Sequence, residues 1–550
     1  MSKKAYFYII LFLLIISLPV ILPFFHQGYF PTHDGEWAVV RMAEMFREIR
    51  DHQFPARYSG YLNFGYGYPL FNFAYPFPYY LGTGLHLLGF GFVDSVKIIF
   101  AMTVPLSALF MFLASRELWG SILAGFSSAL LYIYLPYRMV DLYVRGSIGE
   151  SLAFVFFAAI FYILVKIINN HHSKSLIAIG AIFFAMLIIT HNIMAILFTL
   201  VFGLFSICFI AIERKKEIIL PLLILFFFGL SLSAFFWMPA IAEKKNILLS
   251  VVPITDRNLY YVDAKELIVP SWGFGSPTDK NGFSYQLGLP QLAVLVLSVL
   301  LLIFSWLKNK RDSLKETKSR YAAILVLILF ILIFFLFPQS DLIWRLPLLS
   351  EINYPWTMLA PIGFLISLLS GFLVQKAGFI KYLLLALSVI SVFLFLPFAR
   401  PQSYLNRGDE FYMTNDSTTT SSIEYTPLWV KNLPNKRPDK KVEVIRGDGK
   451  ISNVIYNSKK LSFNITANNE VGVRVNTIYY PGWKLFIDGK QAKINYKNDN
   501  GVMDVLLTKE NSLVEFVFSE TSFRFFANFI SVVSMLGLLI FSKFYKFNVL

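Results

Sequence analysis

The stretch YFPTHDGEW, residues 29–37, follows the first apolar run of the chain and sets His33, Asp34 and Glu36 together where the chain should leave a membrane. Two carboxylates and an imidazole at that level matter only if other reactive groups gather on the same side, so the topology comes first. Apolar residues make up 56% of the 550 and charged residues 15%, where a soluble globular chain has roughly a quarter charged. This composition is that of a polytopic α-helical membrane protein.

The net charge of +15 resides largely in short loops between apolar runs, the pattern of cytoplasmic loops, which speaks against nucleic-acid binding. The single cysteine, Cys208, sits inside an apolar run, so no intramolecular disulfide and no cysteine metal cluster is expected. Lys3-Lys4 followed by the apolar stretch 5–25 is too long for a signal-peptide core and lacks a small-residue cleavage site, so it reads as a retained anchor.

A span needs about 20 apolar residues. Runs of that order occur near 5–25, 97–115, 120–137, 149–167, 174–190, 193–212, 218–238, 290–307, 320–337, 356–374, 380–398 and 523–542. A further candidate, 69–90, is broken by Pro69, Pro76, Pro78, Gly82 and Gly84. The segment 308–320, KNKRDSLKETKSR, carries six Lys/Arg against two acids and is placed in the cytoplasm, as are Lys3-Lys4, ERKKE (213–217) and the 376–381 turn. Alternation between these points works only if 69–90 enters and leaves on one side. The expectation is twelve full spans, a re-entrant or interfacial 69–90, and both termini cytoplasmic. The outer face then receives 32–53, 137–150, 190–192, 239–289, 338–355 and 399–522.

Between 399 and 522 the composition turns polar and alternates with period two, as in Leu461, Phe463, Ile465; Val471, Val473, Val475; and Val514, Phe516, Phe518. Asp448-Gly449 and Asp488-Gly489 read as turns. The expected organisation is a transmembrane domain (1–398, with outer loops 26–96 and 239–289), an extracytoplasmic β-sandwich (399–522), and a C-terminal transmembrane anchor (523–550). Residues 415–422, NDSTTTSS, read as a flexible polar connector. In the first outer loop, Ala38, Met42, Met45 and Ile49 share one helical face, while Arg41, Glu44, Arg47, Glu48 and Arg50 take the others. That pattern is an amphipathic helix in the membrane interface, with Asp34 at its N-cap. The block 61–80, rich in Tyr, Phe, Gly and Pro and including Tyr66 and Tyr68, is an aromatic belt or a groove for an isoprenoid or sugar ring.

One span, an outer acidic motif, an amphipathic helix and a Gly/Pro/Tyr block resemble the class C (GT-C) glycosyltransferases, polytopic enzymes that use polyprenyl-phosphate sugars. The resemblance is closest to bacterial YfhO-like proteins and membrane proteins carrying a "6-pyruvoyl-tetrahydropterin synthase-related" label. It rests on GYGYPLFNFAYPFPYYL (65–81), PYRMVDLYVRGSIGE (136–150), THN (190–192), LSAFFWMPAIAE (232–243), SWGFG (271–275) with LGLPQL (287–292), and YYPGWKLFIDGK (479–490). Thr357 stands in INYPWTML (352–359) where the resemblance leads one to expect an arginine.

The implied activity is inverting transfer of a hexosyl or pentosyl group, in the cytoplasmic membrane, from a polyprenyl-phosphate sugar to an outer glycan, lipid or protein acceptor. Membrane lipids are the other partners. A lipid-linked saccharide transporter or envelope assembly factor on the same fold is the alternative.

The resemblance gives Asp34 the base or acceptor-positioning role, beside its reading as a cap. Asp141 or Glu150 is assigned to the acceptor, Arg145 to the donor phosphate, and His191 to proton carriage. The plainer readings are an Asp141–Arg145 ion pair and, for Glu150 and His191, a helix-dipole partner. His33, Glu36, Arg57, Tyr66, Tyr68, Arg138, Glu243, Trp272 and Arg345 complete the substrate-binding candidates, with Arg57 and Arg345 alternatively surface anchors. No metal is expected to be required, since there is no DxD pair or histidine spacing. Asp34, Glu36 and Asp141 nonetheless offer oxygen ligands for Mg²⁺ or Mn²⁺. A topology reporter fused after Asp94 is expected to read extracytoplasmic; a cytoplasmic signal would overturn the alternation.

Overall fold

The computed structural model describes residues 3–169, 173–279, 282–308, 316–376, 381–508 and 511–544. Residues 309–315 and 377–380, parts of two turns placed above in the cytoplasm, lie outside them. Among the described residues, eight helices are long and apolar enough to cross a membrane: Lys3–Phe25, Phe92–Trp119, Ile148–Ile168, Asn192–Glu213, Leu289–Leu307, Thr317–Phe334, Pro355–Lys376 and Ser522–Lys543. A ninth passage, Lys216–Leu232 with Ala234–Asn246, is bent by 67° at its break. Ile122–Ile133, Lys174–Thr190 and Leu384–Phe398 are shorter apolar helices.

By length and composition, eight of the twelve expected runs hold a helix fit to span by itself, a ninth is the bent pair, and the other three hold the shorter helices. Apolar run length counts residues whether or not one helix contains them. In the run 120–137, Pro136 opens a new helical segment, so the helix Ile122–Ile133 covers only about 18 Å at 1.5 Å per residue. Residues 69–90 form two short helices, Leu70–Phe73 and Phe77–Leu87, the longer about 16 Å and well short of a bilayer core.

Ion pairs mark one end of this helical body. Lys166 meets Glu117 at 2.9 Å, Arg320 meets Glu213 at 2.6 Å, and Lys376 pairs with Glu316. Lys215 reaches the carbonyl of Ile168 at 3.2 Å. At the far end of the Phe92–Trp119 helix, Lys97 donates to the carbonyls of His26 and Gly28. The basic turns therefore collect at one end and the acidic motif of residues 29–37 lies at the other.

Among the described residues eight strands follow: β1 (Val442–Arg446), β2 (Lys450–Tyr456), β3 (Lys460–Thr466), β4 (Val471–Ile478), β5 (Trp483–Ile487), β6 (Lys490–Ala492), β7 (Val502–Leu507) and β8 (Asn511–Phe518). They form two antiparallel sheets, β1-β4-β7 and β2-β3-β8-β5-β6. The nine alternating residues singled out above are all buried between them, which is how a two-sheet sandwich hides its inner faces. Asp488 and Gly489 both have positive φ, the two-residue hairpin geometry joining β5 to β6.

The sandwich is docked onto the helical body as well as tethered to it. Tyr58, Phe73 and Ile247 enter its core, and the Tyr58 hydroxyl donates to the Ile478 carbonyl at 2.7 Å. Arg524, at the head of the last helix, forms a two-pronged pair with Glu243 at 2.8 and 2.6 Å; Tyr480 and Asn72 donate to the same carboxylate at 3.0 Å each.

The helix Gly35–Arg50 does not lie in an interface with one wet face. It is covered on both sides, with Glu44 and Glu48 buried. Its polar side packs against the first loop and the short helix Asp409–Met413: Glu48 accepts from Ser59 at 2.5 Å, and Arg47 reaches the Met413 carbonyl at 3.2 Å. Burial lifts the Glu44 carboxyl to about 6, and that of Glu48, which has no cation beside it, well above the usual range. Folding then takes up a proton at Glu48, so its contribution to stability falls as pH rises above the unfolded carboxyl value of roughly 4.5. Glu48→Gln is expected to raise the melting temperature in detergent at pH 8, with the gain shrinking as the pH falls toward 4.5. A pH-independent difference would place the ionised form in the folded protein.

Candidate functional site

Residues 29–37 cross the 144–147 turn at close range. The His33 amide donates to the Val144 carbonyl at 3.0 Å and the Asp34 amide to the Arg145 carbonyl at 2.8 Å. Two glycines permit the crossing. A Cβ on Gly35 would strike Tyr29 and Thr32, and one on Gly146, whose φ is +63°, would strike Thr32. The turn itself is a wide one, closed by the Gly146 amide on the Asp141 carbonyl at 2.9 Å.

Asp34 occupies the N-cap position of the Gly35–Arg50 helix, yet its side chain makes no cap hydrogen bond. Thr32 takes that job, its hydroxyl accepting from the Gly35 amide at 2.9 Å. The capping reading is therefore corrected: the Asp34 carboxylate is left for other work.

It faces a cavity of about 210 Å³. Each of the six junctions placed on the outer face contributes to the lining: Asp34, Trp37 and Arg41; Arg145 to Ile148; His191; Ile254; Tyr354; and Thr420, Ser421 and Glu424. Tyr75 and Tyr79 complete it.

Arg145 is held from behind. Glu150 pairs with its guanidinium, the Tyr137 hydroxyl donates to Glu150 at 2.5 Å, and the guanidinium lies 4.6 Å over the Trp356 ring. Asp141 is fully buried, bonded to Arg138 at 3.4 Å and to the Ser151 hydroxyl at 2.5 Å. Burial and the neighbouring Glu150 push its carboxyl well up. Asp141 also lies 3.9 Å from the Arg145 guanidinium, the ion pair expected above, so Asp141 and Glu150 hold Arg145 from outside the cavity, with Arg138 behind Asp141. Arg41 donates to the Thr419 carbonyl and hydroxyl and, at 3.4 Å, to the Tyr79 hydroxyl.

His191 begins the Asn192–Glu213 helix with Nδ1 accepting from the Met194 amide at 3.3 Å. The proton of the neutral ring is therefore on Nε2. Burial, with Arg145 nearby, pushes the imidazole down to about 3, so it stays neutral at physiological pH. The ring stacks on Tyr75 at 5.1 Å with an Nε2–H to offer, an arrangement that does not fit the proton carriage expected above.

The remaining candidates lie elsewhere. The His33 ring lies 6.1 Å from that of Phe283, where burial lowers its pKa. Glu36 pairs with Arg407 at 3.4 Å, its carboxyl raised by burial. Arg57 holds Glu520 at 3.3 Å and Asn528 at 3.1 Å, and Glu243 is the partner of Arg524. Tyr66 accepts at its carbonyl from the Ile478 amide, and Tyr68 binds Thr420 at 3.1 Å and the Tyr425 amide at 2.8 Å. Trp272 stacks on Phe398 at 4.5 Å. Arg345 is exposed beside Asp341 at 2.8 Å. Thr357 turns its hydroxyl onto the Tyr354 carbonyl at 2.7 Å, and the cavity's arginines are Arg41 and Arg145.

Asp34, Glu36 and Asp141 do not converge, and no group of three or more His, Cys, Asp or Glu suited to a metal occurs among the described residues. The trio therefore does not fit Mg²⁺ or Mn²⁺. Arg41 and Glu424 escaped the sequence reading. Asp34, Trp37, Ala38 and Arg41 follow the i, i+3, i+4, i+7 stripe of a single helical face, a signal that would have found Arg41. Nothing local marks Glu424.

No family model matches the chain. An uncharacterized protein of Lactococcus lactis subsp. cremoris (strain MG1363) is 23% identical over 338 residues, 60% of this chain and 54% of that one. The chain thus spans about half the length of that curated relative. Among solved structures, the arabinofuranosyltransferase AftD from Mycobacteria aligns over 74% of this chain and 28% of its own, with TM-score 0.46 and 14% identity. The oligosaccharyltransferase AglB from Archaeoglobus fulgidus, in complex with an inhibitory peptide and a dolichol-phosphate, aligns over 76% and 57%, with TM-score 0.41 and 13% identity. ArnT from Cupriavidus metallidurans, bound to undecaprenyl phosphate, aligns over 68% and 79%, with TM-score 0.29 and 12% identity.

Selective ¹⁵N-histidine NMR in detergent, with His191→Asn for assignment, should find the Nε2–H tautomer with no titration between pH 5 and 8. A midpoint near 6.5 would restore the proton carrier.

Proposed function

We propose that the chain is a membrane glycosyltransferase that takes a sugar from a polyprenyl-phosphate donor. The single observation supporting this is the convergence of six junctions, distant in sequence, on one cavity that holds an uncapped carboxylate, two arginines and a neutral histidine. Arg145, oriented by Glu150 and Trp356, and Arg41 bind the donor phosphate; the planar guanidinium suits its oxygens. His191 donates from Nε2 to a phosphate or glycosidic oxygen. An acceptor hydroxyl oxygen attacks the anomeric carbon, the bond from that carbon to the phosphate oxygen breaks, and the phosphate leaves with the electron pair. Asp34 takes the acceptor's proton as its oxygen commits to the new bond. The arginines stabilise charge where it develops. A single displacement of this kind inverts the anomeric centre.

The basic turns at the opposite end favour an orientation with the cavity and the β-sandwich outside the cytoplasmic membrane and both termini inside. The acceptor is a glycan, lipid or protein of that compartment, and the transferred group is a hexose or pentose.

In proteoliposomes charged with polyprenyl-phosphate sugars, Asp34→Asn is expected to lower turnover by about a hundredfold or more, in the range of a lost general base, with donor KM little changed. Arg145→Gln should raise donor KM as well. Turnover of Asp34→Asn equal to wild type would remove Asp34 from the chemistry.

A further inference from the structure

The stretch 415–422, read from composition as a flexible connector, packs into the site through Thr418–Thr420, and Glu424 follows just beyond it. Thr418, Thr419, Thr420 and Glu424 are buried. Thr418 and Thr420 share a hydrogen bond at 2.8 Å, and Thr420 meets the Tyr68 hydroxyl at 3.1 Å. The backbone is pinned to the 248–249 segment, whose Leu248 and Leu249 amides donate to the Thr426 and Glu424 carbonyls at 2.9 Å each. The Glu424 Oε2 atom accepts from the Ser422 amide at 3.1 Å, while Oε1 has no hydrogen-bond partner among the described residues. Glu424, Thr420 and Ser421 line the cavity together with Asp34, Arg41 and Arg145.

This division of chemistry is informative. A phosphate belongs beside the arginines and is repelled by a carboxylate. A sugar ring, by contrast, presents adjacent hydroxyls that donate in pairs to a carboxylate and exchange hydrogen bonds with threonine and serine hydroxyls. Its apolar face packs on aromatic rings, which Tyr75, Tyr79 and Tyr354 supply. We infer that the connector is the sugar-recognising wall of the cavity, with Glu424 as the specificity-determining residue that accepts from hydroxyls of the donor's sugar and with Thr420 and Ser421 beside it. This rests on the lipid-phosphate reading of the cavity. A site built to hydrogen-bond particular hydroxyls rejects sugars that lack or invert them, because a buried group is then left unpaired. Because Arg41 donates to Thr419, the wall is anchored to the phosphate side of the same cavity.

The test titrates the full chain in nanodiscs with bare decaprenyl phosphate and with decaprenyl-phosphoryl arabinofuranose, mannose and glucose. The wild type is expected to bind one sugar-bearing lipid at least tenfold more tightly than the bare lipid phosphate. Glu424→Gln should erase that preference while holding bare-lipid affinity within threefold, and Glu424→Asp should retain part of it. Thr420→Val and Ser421→Ala are expected to reduce the same preference and carry the test if Glu424→Gln fails to fold. A wild type without preference, or variants that keep it in full, would overturn the inference while leaving the lipid-phosphate site standing. Failure of the wild type to bind any of the four lipids would overturn both.

Discussion

Two backbone hydrogen bonds, from the His33 and Asp34 amides to the Val144 and Arg145 carbonyls, hold together the parts on which the site depends. They bring the end of the first helix onto the turn before the Ile148–Ile168 helix, and in doing so set the Asp34 carboxylate and the Arg145 guanidinium on one cavity. The contact is short because Gly35 and Gly146 carry no Cβ there. Thr32, by taking over the cap, leaves the carboxylate unengaged with the helix. A small substitution at either glycine would separate the strands of this crossing without touching a charged group.

Charge pairing decides which ionisable groups remain free. Among the many polar side chains at this end of the molecule, most are consumed. Glu243 is used by Arg524, Arg138 by Asp141, Glu36 by Arg407 and Arg57 by Glu520. Burial without a partner is costly for a charge, so these pairs hold the first loop, the bent helix and the β-sandwich in register. Arg145 belongs to both classes: Glu150 and Trp356 hold it in place, and the cavity still reaches it. His191 illustrates the same economy, since a helix amide occupies one ring nitrogen and so leaves the proton on the other.

Part of this was legible in the residues. Period-two alternation in Leu461–Ile465, Val471–Val475 and Val514–Phe518 located strands and assigned their buried faces. The basic turns and the broken 69–90 segment predicted which junctions share a side, and those junctions meet at the cavity. Asp34, Arg145 and His191 were singled out beforehand and all three line it. The role of His191 was not legible, because its tautomer depends on one amide. Nor was the burial of Glu44 and Glu48, which helical periodicity placed on a polar face and which the first loop meets through Tyr61 and Ser59.

The sequence by itself determined the helical membrane body, the β-sandwich and the side on which the polar junctions gather, because hydropathy, alternation and charge are properties of neighbouring residues. Helix continuity, the choice of which carboxylates are spent in ion pairs, and the entry of Arg41 and Glu424 into the cavity were decided only by the tertiary structure. Those outcomes depend on partners hundreds of positions away, such as Thr419 for Arg41 and Arg524 for Glu243, and no local pattern encodes them.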